Sequence, residues 1–225
     1  MKELYAQLES MLGGDPFGLL LEYAGTFAGA ISGVRLASAK HFDWFGAYVV
    51  GFVTAMGGGT LRDMCLGISP FWMTGPSYFI TTLLALVAVA VFGRRFISEQ
   101  VTWFVFDTIA ISLFTVIGLE KTQNYGFSWW CAIMMGVITA VFGGVMRDVF
   151  INQVPLIFRK ELYAMACFGG ALLYIILQKL GWSPRWCAIN CIVLIFVLRG
   201  LAIKYGWSVP VLTGRAHHLS LPWKK

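Results

Sequence analysis

The stretch Gly57-Gly58-Gly59-Thr60-Leu61-Arg62-Asp63 decides how this chain is read. It closes an apolar run, residues 43–66, that is long enough to be a membrane helix. Each glycine inside a helix costs roughly 1 kcal/mol relative to alanine. An arginine and an aspartate follow at once, at a depth where charge is expensive. A lipid-facing helix tolerates neither feature, so together they mark a site. The pattern returns as Gly143-Gly144-Val145-Met146-Arg147-Asp148.

The return belongs to a long internal repeat. One constant shift, with no gap, aligns Phe42 with Phe127, Trp44 with Trp129, Gly51 with Gly136, Thr54 with Thr139 and Asp63 with Asp148. Ten of the 22 positions from 42 to 63 are identical, where apolar composition alone gives about two. The same register pairs Pro70 with Pro155, Tyr78 with Tyr163, and Glu22 with Asp107.

The composition agrees with a membrane protein. Of 225 residues, 58% are hydrophobic and 12% charged, and the mean hydropathy is +0.74. A soluble domain has about twice that charge. Seven apolar segments can be drawn, at 17–38, 43–66, 77–93, 101–119, 127–150, 162–178 and 186–203. Their length and continuity exclude the alternating strands of a barrel. Tryptophans near segment ends (Trp44, Trp72, Trp103, Trp129, Trp130, Trp182, Trp186) suit the two interfaces. The expected fold is an all-α membrane protein with two three-helix repeats, residues 17–97 and 101–182, and a seventh helix, residues 186–203. Three crossings per repeat invert the second copy relative to the first.

The flanking segments are expected to be an extracytoplasmic stretch, residues 1–16, and a basic cytoplasmic tail, residues 204–225. Glu3, Glu9 and Asp15, with no A-x-A-like site, argue against a cleavable signal. Lys and Arg sort four to one face (Lys2, Lys121, Lys179, Arg185) and eleven to the other, among them Arg35, Arg94, Arg95, Arg159, Lys160 and Arg199. The positive-inside rule then puts the N-terminus outside and the C-terminus in the cytoplasm of an inner (plasma) membrane. The formal charge of +6 is explained by that orientation, without nucleic acid. The five cysteines lie in or beside apolar runs and read as packing. His217 and His218 belong to the basic tail rather than to a metal site.

Inverted repeats with matching interruptions point to a pathway near the midplane. The expected helix breaks fall at Gly57, Gly58, Gly59 and at Gly143, Gly144. Thr60 is placed to cap an outgoing half-helix with Asp63 three positions on; Val145 lacks that hydroxyl. Arg62, Asp63, Arg147 and Asp148 are the polar residues beside the breaks. Neighbours on a helix point about 100° apart, so the expected ion pairs are crossed, Arg62 with Asp148 and Arg147 with Asp63. Those pairs either brace the fold or line the route. Glu22 and Asp107, in the first and fourth segments, are each protonated, paired or wetted by a pore. Gly25, Gly29 and Gly33 allow close helix approach, within the monomer or between subunits. Enzyme motifs are missing from the sequence: it holds neither a nucleophile elbow, nor H-E-x-x-H, nor a phosphate loop.

Two copies of Gly-Gly-x-x-Arg-Asp, at matching places of the repeat among seven crossings, resemble the prokaryotic branch of the trimeric intracellular cation channel (TRIC) family. The resemblance covers nearly all of residues 17–203. It implies a homotrimer in membrane lipid, with a pore in each subunit beside the second and fifth helices. It implies passage of monovalent cations, chiefly K+ with Na+ as the alternative, and no bound cofactor. The Lys-Glu-Val tripeptide of animal members is absent. Some bacterial relatives resemble carriers of small neutral amino acids such as glycine, and that is the rival function.

Overall fold

A computed structural model describes residues 15–92, 100–159 and 162–207. Expectations about residues 1–14, Arg94, Arg95, Lys160 and the tail beyond Trp207 lie outside the described residues. Among the described residues the chain folds into seven α-helices: α1 Pro16–Ala39, α2 Trp44–Cys65, α3 Ser77–Phe92, α4 Gln100–Asn124, α5 Trp129–Phe150, α6 Ala164–Lys179 and α7 Pro184–Tyr205. Five are long and apolar enough to cross a membrane; α3 and α6 are shorter apolar helices. A short 3-10 turn precedes each of these two, Phe71–Thr74 and Leu156–Phe158.

Local chemistry sets the ends. Asp15 accepts from the backbone N–H of Gly18 at 3.0 Å, and Pro16 begins α1 with its φ already helical. Asp43 caps α2 through the Gly46 N–H at 2.7 Å. α7 ends on Gly206 in the left-handed region, φ 63°, where glycine carries no Cβ penalty.

The two copies meet through their first and second helices. α1 packs on α2 and α4, α4 on α5, and α2 crosses α5. α3 flanks the first copy and α6 the second, and α7 lies on α6 and α4. The lipid-facing surface is apolar, with Leu83, Leu84, Val87 and Val91 of α3 exposed. Trp44, Trp129, Trp130 and Trp186 stand exposed at helix starts, as interfacial tryptophans do. Trp72 and Trp103 instead turn inward: Trp72 Nε1 donates to Thr60 and Trp103 stacks against Arg147.

The largest correction concerns the glycine clusters. α2 runs unbroken from Trp44 to Cys65 and α5 from Trp129 to Phe150, through both sets of glycines. Glycine's helix cost is outweighed here by what its bare Cα permits. A Cβ on Gly58 would collide with the Thr139 carbonyl oxygen, and one on Gly143 with the Thr54 carbonyl oxygen. These collisions are the same one under the repeat, since 54 matches 139 and 58 matches 143. Gly57 faces the Gly143 Cα more loosely, at 3.5 Å from its would-be Cβ, and Gly59 lies under the Phe71 ring. The glycines are a backbone crossing rather than a break.

The α1 glycines do similar work inside the monomer. Gly33 packs on Gly51 and Thr54, Gly29 on Ala55, and Gly25 on Phe114. Cys167, Cys187 and Cys191 are buried and, like Cys65 and Cys131, free.

Candidate functional site: two buried ion-pair clusters

The motif residues lie in two clusters, one toward each end of the α2–α5 crossing. α2 and α5 each deliver an Arg-Asp pair as their last turn approaches an end of the bundle. Arg62 is 1% exposed and Arg147 fully buried. The expected crossed pairs do not form. Arg62 Nε donates to Asp63 Oδ1 at 2.8 Å, and Arg147 Nε to Asp148 Oδ1 at 2.9 Å. The 100° argument fails because an arginine side chain is long enough to fold back toward its neighbour. The antiparallel crossing meanwhile carries the two pairs to opposite ends.

Each aspartate also holds the loop that follows. Asp63 Oδ2 accepts from the Phe71 N–H at 2.8 Å, and Asp148 Oδ2 from the Leu156 N–H at 3.0 Å. Asp63 is therefore not a partner of Thr60 in a capping box. Thr60 donates back to the Met56 carbonyl at 2.8 Å within a continuous helix and accepts from Trp72 Nε1 at 2.9 Å.

The first cluster is completed by Lys121 of α4, whose Nζ lies 3.0 Å from Asp63 Oδ1. Glu22 of α1 lies half-buried in the fields of Arg62 and Lys121, with Tyr78 beside it. The second cluster is denser. Arg147 Nη1 donates to Asp107 Oδ1 at 2.8 Å and to Ser32 Oγ at 2.7 Å. Arg199 of α7 sets Nη2 3.3 Å from Asp107 Oδ2, an ion pair whose geometry does not make a hydrogen bond. Tyr163, the repeat counterpart of Tyr78, closes this cluster.

Both clusters thus hold two carboxylates and two cations: Glu22 and Asp63 with Arg62 and Lys121, and Asp107 and Asp148 with Arg147 and Arg199. Formal neutrality is what permits so much charge in an apolar bundle. The second cation is supplied differently in each copy, by α4 in one and by unduplicated α7 in the other. Sequence reasoning assigns Lys121 and Arg199 to the faces, and the structure moves both to the clusters. The signal for Arg199 is its place inside the apolar run 186–203; Ser32 carries no signal. Arg35, also counted with a face, is buried.

A cavity of about 230 Å³ opens beside the second cluster, lined by Leu36, Trp103, Asp148, Gln153, Leu156 and Arg159. It brings the outside of the bundle to the Asp148 carboxylate. The closely packed crossing at Gly58 and Gly143 lies between this cavity and the first cluster.

Solved structures share this fold. The chain is similar to a TRIC cation channel studied for its conductance, at 33% identity and TM-score 0.79, covering 88% of this chain and 98% of that one. It is similar to the TRIC orthologue from Rhodobacter sphaeroides at 32% identity and TM-score 0.78, covering 84% and 98%. The family described as "Glycine transporter" matches twice, over residues 19–94 and 104–179. The chain belongs to this family, within the prokaryotic branch of TRIC proteins. The family description thus falls on both copies of the internal repeat. Among curated relatives are a UPF0126 membrane protein of Vibrio cholerae serotype O1, 35% identical over 85% of this chain and 81% of that one, and the UPF0126 inner membrane protein YadS of Escherichia coli K12, 39% identical over 68% and 75%. Like them, this TRIC-family chain is a membrane protein.

Proposed function

We propose that the protein is a monovalent-cation channel, preferring K+ over Na+ and needing no cofactor, that assembles as a homotrimer with one route per subunit. The likeness to solved TRIC cation channels carries this reading. The route runs beside α2 and α5, through the repeat units 17–97 and 101–182. Its polar lining is Glu22, Arg62, Asp63 in one half and Asp107, Arg147, Asp148 in the other. On this reading the conformation described is the closed one, with backbone packed on backbone at Gly58 and Gly143. Opening parts α2 from α5 at Gly57, Gly58, Gly59, Gly143 and Gly144 and lets water reach the carboxylates. In lipid, the N-terminus lies outside and the C-terminal tail lies on the cytoplasmic face, as the Lys and Arg distribution supports.

A second reading, a carrier for a small neutral amino acid such as glycine, rests on the family description. Recording from purified protein in a planar bilayer separates the two. Stepwise currents reversing near the K+ equilibrium potential in a KCl gradient support the channel. Saturable glycine uptake into vesicles without such steps supports the carrier. Absence of both overturns a transport function.

A further inference from the structure

The two halves of the bundle are closed to different degrees. The repeat register pairs Trp103 with Gly18 and Leu36 with Lys121. In the second half the Trp103 ring covers Arg147, whose guanidinium carbon lies 5.8 Å from the ring centroid. The same ring lines the cavity of about 230 Å³ that reaches Asp148. Arg147 and Ser32 are fully buried, and Asp148 is only 2% exposed although it lines that cavity too. In the first half a glycine stands where the indole would be. Among the described residues, a Cβ on Gly18 would meet only its own cap, Asp15, no closer than 3.5 Å. Lys121, where the second half has Leu36, keeps 27% of its side chain exposed while paired to Asp63. One ion cluster therefore touches water directly, and the other lies behind an aromatic ring.

The indole is not held there by its polar end. Trp72 Nε1 has Thr60 as acceptor at 2.9 Å, whereas Trp103 Nε1 is buried without a hydrogen-bond partner. A buried indole N–H usually finds an acceptor, and leaving it unmet is unfavourable. What Trp103 contributes is a broad flat surface. It packs on the apolar core of the second copy, and its face attracts the guanidinium. A smaller apolar side chain would pack there without stranding a donor, so the position uses bulk.

We propose that Trp103 is the access barrier of the second half: its ring keeps water and small cations in the cavity away from Arg147 and Asp107. The route proposed above, on which any role in conduction rests, then holds two closures in series, the backbone crossing at Gly58 and Gly143 and the indole at one end. The barrier itself rests on packing alone and stands whether or not the protein conducts.

The test reads access without current. Ser32 Oγ accepts from Arg147 Nη1 at 2.7 Å, so Ser32→Cys places a reporter thiol beside the covered guanidinium. The protein also carries Cys65→Ser and Cys131→Ser, which removes the two cysteines that are not buried. It is treated in detergent with a small cationic thiosulfonate, and labelling is followed by mass spectrometry. With Trp103 in place the reporter should react slowly. Trp103→Gly, which copies the first half, should speed it roughly tenfold or more, and Trp103→Phe, which keeps a ring and drops the N–H, should stay within about twofold. Where Trp103→Gly does not fold, Trp103→Leu decides, with a rate between those two. An unchanged rate in the variant that decides overturns the proposal. Equal acceleration in Trp103→Phe overturns it too, as does parallel labelling of Cys167, Cys187 and Cys191, which means a loosened bundle. Faster labelling of the reporter alone, in a protein that carries no K+ current, leaves the barrier standing and counts against the channel reading only.

Discussion

Asp63 and Asp148, at matching positions of the two repeats, hold the same two partners: the preceding arginine and the backbone N–H eight residues downstream, Phe71 in one copy and Leu156 in the other. One buried carboxylate thus ties a helix end to its own charge and to the turn that redirects the chain. The copies differ in what else neutralises the arginine. Arg147 has Asp107 at 2.8 Å, whereas the only ion pair of Arg62 among the described residues is with Asp63. Asn in place of Asp keeps an acceptor for the turn but removes the charge. Asp63→Asn should therefore cost about 3 kcal/mol, the penalty for an uncompensated buried charge. Asp148→Asn should cost clearly less. Unfolding of the purified variants in detergent measures the order, and the reverse order would show that Asp107 does not share the charge of Arg147.

The crossing of α2 and α5 makes adjacent glycines unequal. Gly58→Ala puts a methyl group into the Thr139 carbonyl, and Gly143→Ala puts one into the Thr54 carbonyl. Backbone cannot step aside as a side chain can, so each should cost about 2 kcal/mol or more. Gly57→Ala meets only ordinary contact with Gly143 and gains helix propensity, worth up to about 1 kcal/mol. Thermal unfolding of the three variants should rank Gly57→Ala at or above wild type and the other two well below it. Equal loss at all three would mean that the triplet acts through chain flexibility instead.

Ion-pair connectivity is open to double-mutant cycles. Arg147 and Asp107 touch, so the cycle Arg147→Met with Asp107→Asn should return a coupling of about 1–3 kcal/mol. Arg62 and Asp148 belong to different clusters, and their cycle should return no more than about 0.5 kcal/mol. Charge exchange between Arg62 and Asp148 should accordingly rescue nothing. A strong coupling between those two would restore the crossed arrangement that the internal repeat first suggests.

Much of the fold is legible because membrane helices announce themselves by length and apolarity. The gapless repeat, moreover, fixes the relation of the two halves. Where the sequence falls short, the cause is tertiary. Hydropathy ends the fourth segment at residue 119, yet α4 continues to Asn124, because Glu120 and Lys121 look like loop residues until Tyr174 and Asp63 are seen beside them. Three glycines look like a break because their propensity cost is local, while their benefit lies on another helix, at Thr139 and Gly143. The motif residues can be found from sequence, but their partners cannot. Ser32 and Asp107 reach Arg147 from α1 and α4, and Arg199 reaches the Asp107 carboxylate from α7; no spacing rule reports such contacts.

Thr60 offers a measure of how far the copies have diverged. Its hydroxyl donates to the Met56 carbonyl and accepts from Trp72 Nε1, which pins the 3-10 turn Phe71–Thr74 to α2. The second copy has Val145 and Ile157 at the matching positions and holds its turn without that bond. Thr60→Val therefore makes the first copy resemble the second. It should cost about 1 kcal/mol, partly because it strands the indole N–H. Thr60→Ser keeps the hydroxyl and should cost less. Trp72→Phe removes the donor, so once it is present Thr60→Val should add little. Melting temperatures of the two single variants and the double variant test this, with additive losses counting against a direct Thr60–Trp72 contribution.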